Sequence, residues 1–185
     1  MSKKDKVPEY FEVFDNHGHL CGLLPRQDVH RRGLWHRSAD VWVYRPDGSL
    51  LLQCRSRNKD LFPGCWDYSM GEHLLPSESY LAGARRGLRE ELGIVARDVE
   101  FIGDLRHVCN HCPERDIHDR ELSRSFRAVH DGKLYPDPGE VAEVRWMCPD
   151  QVVAWMLREP SAFTPWFIQA ARELDLLPAV DCHSG

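Results

Sequence analysis

The segment from Gly71 to Ile94 reads GEHLLPSESYLAGARRGLREELGI, and it decides the fold class. Its second half predicts a helix from about Glu78 to Leu92. We expect Ser77 to cap the N-terminus of this helix, because a serine oxygen accepts hydrogen bonds from free backbone amides. We expect Gly93 to end it, because glycine readily adopts the left-handed conformation that stops a helix.

The two sides of this helix differ in chemistry when its residues are placed at about 100° intervals. The side expected to face the core comprises Leu81, Leu88 and Leu92. The opposite side comprises Gly83, Gly87, Glu90 and Glu91. Helical glycines cost about 1 kcal/mol each relative to alanine, so we expect them to clear space beside the glutamates. Adjacent carboxylates repel unless a cation neutralises them, which indicates Mg²⁺ or Mn²⁺, although a solvated acidic face is the alternative.

The spacing around the helix resembles the Nudix box, which runs Gly, five residues, Glu, seven residues, then Arg-Glu-apolar-x-Glu-Glu-x-Gly-apolar. The matching positions are Glu78, Arg86, Leu88, Glu90, Glu91, Gly93 and Ile94. The resemblance implies an α/β fold, the Nudix α/β/α sandwich with a mixed sheet. It also implies that the glutamates bind metal ions that bridge a diphosphate, and that Glu78 and Arg86 brace the loop and the helix. Glu72 replaces the first Gly of the box, and Gly87 replaces the Glu that follows Arg, which removes one box carboxylate.

Outside the box, the chain is similar to type I isopentenyl-diphosphate isomerases, which belong to the same superfamily. The similarity is carried by Leu51–Lys59, Phe62–Trp66 and Ala162–Phe167. It implies that Arg55 and Lys59 contact the diphosphate, a pairing that suits cations beside a dianion. We expect the rings of Trp66 and Trp166 to be half core and half pocket wall, and to contact the substrate.

The same resemblance implies a metal site made of histidines and acids. The matching positions are His30, His36, His73, Asp119 and Glu121. Side chains two apart on a strand share a face, so we expect Asp119 and Glu121 to point into one site. His36, His73 and Glu121 are expected to converge there, joined by Asp119 and His30.

One departure from the isomerase pattern bears on the reaction. A cysteine that transfers a proton opposite a glutamate is expected where this chain has Gly71. Glu121 and Trp166 match residues that act in the isomerase reaction, but glycine has no group to transfer a proton. Cys65 is expected to be structural. Isomerisation is therefore disfavoured.

These observations predict a Mg²⁺- or Mn²⁺-dependent hydrolase that cleaves a nucleoside diphosphate or a related small-molecule diphosphate. Glu90 and Glu91 would hold metal ions, which lower the pKa of bound water, and Glu91 is therefore expected to be a catalytic group as well. Glu121 is the first candidate for general base and Glu72 the second. The alternatives are isomerisation of isopentenyl diphosphate and, because Gly87 removes a carboxylate, a non-catalytic diphosphate sensor.

Length and composition bound the class of protein. The chain has 185 residues, of which 42% are hydrophobic and 29% charged, as expected for one globular domain over 1–185 with a flexible tail at 1–8. The net charge of -5 and the absence of a basic block in the sequence argue against duplex nucleic acid as a partner. No apolar run approaches the roughly 20 residues of a membrane span. Seven cysteines without a disulfide spacing indicate reduced thiols in the cytoplasm.

Turn sequences and apolar patterns predict the remaining elements. They are two hairpins, Tyr10–Phe14 with Leu20–Leu24 and Asp40–Tyr44 with Ser49–Cys54; a long loop, Arg55–Gly71; strands Val99–Leu105, Leu122–Val129 and Val141–Met147; and helices Pro149–Leu157 and Pro165–Leu174. Cys109 and Cys112 lie among histidines but lack a second Cys-x-x-Cys pair, so a flexible loop near the active site is preferred over a zinc site.

Overall fold

The computed structural model describes residues 9–175, and within them also leaves the side chain of Arg115 undescribed. The predicted tail at 1–8 lies outside the described residues. The strands in the described range are β1 (Tyr10–Phe14), β2 (Leu20–Pro25), β3 (Trp35–Tyr44), β4 (Leu50–Arg55), β5 (Trp66–Asp67), β6 (Met70–His73), β7 (Val99–Cys112), β8 (Ile117–Val129) and β9 (Val141–Met147). The helices are α1 (Arg26–Arg32), α2 (Tyr80–Leu92), α3 (Pro149–Arg158) and α4 (Pro165–Glu173).

Strand β3 is the centre of a mixed sheet. It pairs parallel with β8 along its whole length and antiparallel with β6, over Ser38–Val41. At its far end, Tyr44 pairs with Leu50 of β4, and β4 in turn pairs with β5 and β9. The sheet therefore divides along β3, with β6 beside its middle and β4 beside its end. The predicted α/β fold with a mixed sheet is confirmed.

The two faces of the sheet carry separate apolar cores because side chains alternate along β3. Val41 and Val43 point to the α2 side, where they pack with Leu88 and Leu92. Trp42 points to the other side, where it joins a core built from α3 and α4. The helices thus cover both faces, as an α/β/α sandwich requires.

Helix α2 begins later than predicted and presents a different face to the sheet. Ser79 rather than Ser77 caps it, by accepting a hydrogen bond from the amide of Ala82 at 3.2 Å. Gly93 ends the helix in the left-handed conformation, as predicted. Leu81 was expected in the core, but its side chain is 36% exposed.

The glycines of α2 do not open space for a ligand, contrary to the prediction. Gly83 and Gly87 are buried on the same side as Leu88. A Cβ on Gly83 would lie 3.2 Å from Leu74, and one on Gly87 would overlap Met70 and lie 3.1 Å from Cβ of Glu72. The two glycines therefore allow α2 to pack closely against β6 and the segment after it.

Three other differences have local causes. Helix α1 was not predicted because Val29 is the single aliphatic residue in its polar sequence, RQDVHRR. The predicted loop Arg55–Gly71 contains β5 and the start of β6, which are too short to show a strand period. Strands β7 and β8 continue to Cys112 and from Ile117, so the predicted loop around Cys109 is wrong: this segment is a long hairpin.

Candidate active site

Four side chains from four different elements meet beside the start of β3. His30 comes from α1, His36 from β3, His73 from β6 and Asp119 from β8. Each offers a ligand atom, and these atoms all lie within 4.8 Å of one another. The strand pairing brings these side chains together, because His36 of β3 lies opposite Glu121 of β8, and Ser38 of β3 lies opposite His73 of β6.

Glu121 joins this cluster through hydrogen bonds. Its Oε1 lies 2.9 Å from Nε2 of His73, and its Oε2 accepts a hydrogen bond from the Ser38 hydroxyl at 3.0 Å. The carboxylate is thereby fixed next to the histidines and faces the cleft that they border.

Several potential metal-binding atoms of this cluster lack a hydrogen-bond partner. Nε2 of His30, Nε2 of His36 and Oδ1 of Asp119 are buried and have no hydrogen-bond partner in the described part of the chain. The two imidazole nitrogens lie 3.7 Å and 3.3 Å from Asp119 Oδ1. Unpaired buried polar atoms are costly, so convergent orphan atoms of this kind fit a divalent cation.

The electrostatics of the cluster keep its imidazoles in the neutral form that metals bind, whereas burial and the neighbouring Glu121 raise the pKa of Asp119 well above its usual range. Burial, reinforced by His73, lowers the pKa of His30 to about 2 and that of His36 to about 4. Burial also lowers the pKa of His73 well below its usual range. At neutral pH the three imidazoles are therefore neutral and able to act as ligands.

A second acidic group lies where α2 meets β6. Glu91 is buried, and burial together with Glu72 raises its pKa to about 8. Glu72 forms an ion pair with Arg86, whose Nη1 lies 3.0 Å from Oε2 of Glu72. A cation between two crowded carboxylates would relieve their repulsion. Glu90 differs, because its side chain is 52% exposed and pairs with Arg86 and Arg89.

Arg86 braces this region as predicted. Its guanidinium donates two hydrogen bonds of 2.9 Å to Glu78 and a third of 2.9 Å to the carbonyl of His73. Glu78 also accepts a hydrogen bond from the amide of Leu75. The box arginine thus fixes the loop before α2 and the end of β6 in one arrangement.

The predicted phosphate-binding cations border the same cleft. Arg55 donates to the carboxylate of Asp67 at 3.3 Å and lies over the ring of Trp166, 5.1 Å from its centroid. Lys59 forms an ion pair with Glu140. Sequence reasoning missed Asp67, which is fully buried and also accepts hydrogen bonds from Thr164 and Trp166. The sequence does carry a signal for it, because Asp67 is an acid between two aromatic residues, Trp66 and Tyr68.

The cleft has a volume of about 660 Å³. The predicted site residues that line it are His30, Arg55, Lys59, Glu72, His73, Glu90, Glu91, Asp119, Glu121 and Trp166. His36 is wholly buried behind them. Trp66 does not line the cleft; it packs against Trp155 and Arg145, and we assign it to the core instead of to the substrate. Cys109 and Cys112 do not join any group of three candidate ligands in residues 9–175.

Tyr68 is a further cleft residue that the sequence did not reveal. A Cβ on Gly71 would lie 2.5 Å from Cε2 and 3.1 Å from the hydroxyl of Tyr68. The tyrosine ring thus occupies the space that any side chain at position 71 would need.

The chain resembles known proteins in sequence and in fold. A family model described as NUDIX domain matches residues 34–167. An isopentenyl-diphosphate Delta-isomerase from Nocardia farcinica (strain IFM 10152) is 33% identical over 165 residues, covering 89% of this chain and 93% of that protein.

Solved structures agree on the fold. DR0079 from Deinococcus radiodurans superposes with a TM-score of 0.69 at 20% identity, over 89% of this chain and 99% of that one. The MutT protein from Methanosarcina mazei Go1 gives 0.63 at 20% identity, over 76% and 93%. No helix in the described range is long and apolar enough to cross a membrane. The chain belongs to the Nudix superfamily, in its isopentenyl-diphosphate isomerase-like branch.

Proposed function

We propose that this chain is a divalent-metal-dependent enzyme that hydrolyses a nucleoside diphosphate or a related diphosphate. The observation that supports the proposal is that potential metal ligands and potential phosphate-binding cations line the same cleft. This cleft combines the histidine cluster, the half-buried Glu72 and the buried Glu91, and the cations Arg55 and Lys59. Two separated acidic groups and two cations match the charge pattern of a metal-loaded diphosphate.

The donor sets suit different ions. His30, His36, His73 and Asp119 would hold a first-row ion such as Mn²⁺, because three imidazole nitrogens are poor ligands for Mg²⁺. Glu91, with Glu72 beside it, would hold Mg²⁺ or Mn²⁺ through oxygen alone, and the more exposed Glu90 would be a weaker ligand at the rim. When bound, such cations neutralise diphosphate charge and act as Lewis acids.

The residues of the chain supply binding and proton transfer. Arg55 and Lys59 hold the outer phosphate, with Lys59 exchanging Glu140 for substrate oxygens. Glu121, oriented by Ser38 and His73, accepts the proton of the attacking water. The water oxygen bonds to phosphorus, and the bond to the bridging oxygen breaks as the leaving phosphate departs.

Isopentenyl-diphosphate isomerisation is the second candidate, because a relative with that name covers most of the chain. It requires acid/base groups on both faces of the alkene. Glu121 supplies one, but Gly71 supplies none, which favours hydrolysis.

The experiment is a paired assay of the purified protein with Mg²⁺ or Mn²⁺. ADP and ADP-ribose are followed by release of phosphate or AMP, and isopentenyl diphosphate by formation of dimethylallyl diphosphate. Hydrolysis without isomerisation is the expected result. Robust isomerisation would overturn the proposal in favour of the second candidate, and metal-dependent binding without turnover would indicate a sensor.

A further inference from the structure

The side chain of Tyr68 covers Gly71 in the cleft. Tyr68, between β5 and β6, places its ring over Gly71, where a Cβ would lie 2.5 Å from Cε2 and 3.2 Å from Cζ. Contacts under 3.0 Å are not seen for real Cβ atoms. A side chain at position 71 would therefore displace the Tyr68 ring from this place.

The hydroxyl of Tyr68 is available to a ligand. In residues 9–175 it has no hydrogen-bond partner, although the residue is only 8% exposed and borders the cleft beside His73 and Glu121. Burial raises the pKa of Tyr68 well above 10, so the group remains an O–H donor at neutral pH. The hydroxyl is not among the wholly buried unpaired atoms of the described residues, so it is open to the cleft, where a ligand oxygen can take the place of water as its acceptor.

The walls around it are polar. The large apolar or aromatic side chains among the lining residues are Leu61, Tyr68 and Trp166, and the other lining residues are polar, charged or glycine. Such a cleft gives a branched hydrocarbon chain little apolar surface to contact. An organic group that carries hydroxyls suits it better.

We propose that Tyr68, seated over Gly71, is a specificity-determining residue that donates a hydrogen bond to a hydroxyl or ring oxygen of the substrate's organic group. The substrate is then a diphosphate of a sugar or nucleoside rather than of an isoprenoid. This inference rests on the proposed function in that the cleft binds a diphosphate, but it does not require that the diphosphate be cleaved.

The test measures binding, so it is independent of turnover. Dissociation constants are determined with Mn²⁺ by stopped-flow tryptophan fluorescence, which records binding before turnover, for ADP, ADP-ribose, inorganic pyrophosphate and isopentenyl diphosphate. The proteins are the native chain, Tyr68→Phe and the matched control Tyr135→Phe, whose tyrosine is exposed and does not line the cleft. Loss of one neutral hydrogen bond should weaken ADP or ADP-ribose binding by about 3- to 10-fold. Pyrophosphate and isopentenyl-diphosphate binding should change less than about twofold.

A double-mutant cycle tests the steric dependence. Gly71→Ala should weaken ADP-ribose binding in the native background, because it displaces the Tyr68 ring. The same substitution should have little further effect in Tyr68→Ala, where the ring is gone.

Several results would overturn the inference. They are unchanged ADP and ADP-ribose binding in Tyr68→Phe, an equal loss for pyrophosphate, tighter native binding of isopentenyl diphosphate than of both nucleotides, or additive effects in the cycle. Tyr68-dependent binding without any hydrolysis would support the inference while overturning the proposed function.

Discussion

Glu90 and Glu91 are neighbours in sequence but lie in different environments. Glu91 is 4% exposed and crowded by Glu72, whereas the Glu90 side chain is 52% exposed and paired with arginines. A bound metal ion should therefore stabilise the charge of Glu91 more than that of Glu90, because little water reaches the Glu91 carboxylate.

We predict that Glu91→Gln lowers metal-dependent ADP-ribose hydrolysis by at least about 100-fold, the scale of a lost catalytic group. It should also remove one Mn²⁺ equivalent in a titration followed by electron paramagnetic resonance. Glu90→Gln should have a smaller effect on both. Circular dichroism checks that the fold is intact, and undiminished hydrolysis in Glu91→Gln would refute its assignment.

The raised pKa of Glu91 makes a second prediction, for the metal-free protein. Burial and Glu72 raise the folded-state pKa to about 8 from 4.5, so between these values the folded chain holds a proton that the unfolded chain releases. Its contribution to stability is complete below about pH 4.5 and is lost as pH rises through about 8. In EDTA, Glu91→Gln should therefore reduce the fall in unfolding free energy between pH 5.5 and pH 8, measured with urea. Glu90→Gln is the control, and an unchanged slope in Glu91→Gln would contradict the prediction.

The contact between α2 and β6 is the element that sets the geometry of the acidic half of the cleft. Gly87, which occupies a box glutamate position, is covered by Met70 and Glu72. The missing carboxylate is thus not a gap in the site, because the helix lies too close to the strand for a side chain there.

We predict that Gly87→Ala destabilises the fold by about 1–3 kcal/mol, the cost of overpacking, although alanine is the better helix former by about 1 kcal/mol. Urea unfolding of Gly87→Ala, Met70→Ala and the double variant measures the coupling. The double variant should lose less stability than the sum of the single ones. A stabilised Gly87→Ala would show that the contact relaxes easily.

Arg86 joins the loop before α2 to β6 through hydrogen bonds that only a planar guanidinium can make together. Arg86→Lys should cost roughly 1–3 kcal/mol in urea unfolding, since partly buried acceptors lose their donors. Arg85→Lys, at an exposed site with one backbone contact, is the matched control and should be close to neutral. Equal effects of the two substitutions would be incompatible with the bracing role.

At the scale of the whole molecule, the histidine cluster ties together α1, β3, β6 and β8. A cation bound there stabilises the folded state by mass action, because the unfolded chain does not hold the ligands together.

We predict that Mn²⁺ at about 100 times its dissociation constant adds about 2.7 kcal/mol. That corresponds to a rise in Tm of roughly 5–10 °C for a chain of this size. His30→Ala should lose most of the rise, whereas His17→Ala, on an exposed turn, should keep it. The measurement is calorimetry with EDTA or Mn²⁺, and a full rise in His30→Ala would place the ion elsewhere.

Box spacing, turn residues and apolar alternation act over short distances along the chain, so the sequence was enough to predict helix α2, the β1–β2 hairpin, strand β9 and the family. The second predicted hairpin forms only beside its turn, where Tyr44 pairs with Leu50, whereas β6 rather than β4 pairs with Ser38–Val41. The sequence also named His30, His36, His73, Asp119 and Glu121, and the structure brings these five side chains into one cluster. Their identification relied on the resemblance, since no local pattern links residues so far apart.

Which groups face one another depends on tertiary packing and could not be predicted from the sequence. Several features of the site arise from contacts between residues of different elements. They are the burial of Glu91, the close approach of α2 to β6 at Gly87, the packing of Trp66 in the core and the position of the Tyr68 ring over Gly71. Periodicity specifies the face on which a side chain lies, but not the neighbour it meets there. That neighbour depends on strand register and helix distance, which are set by the packing of the whole chain.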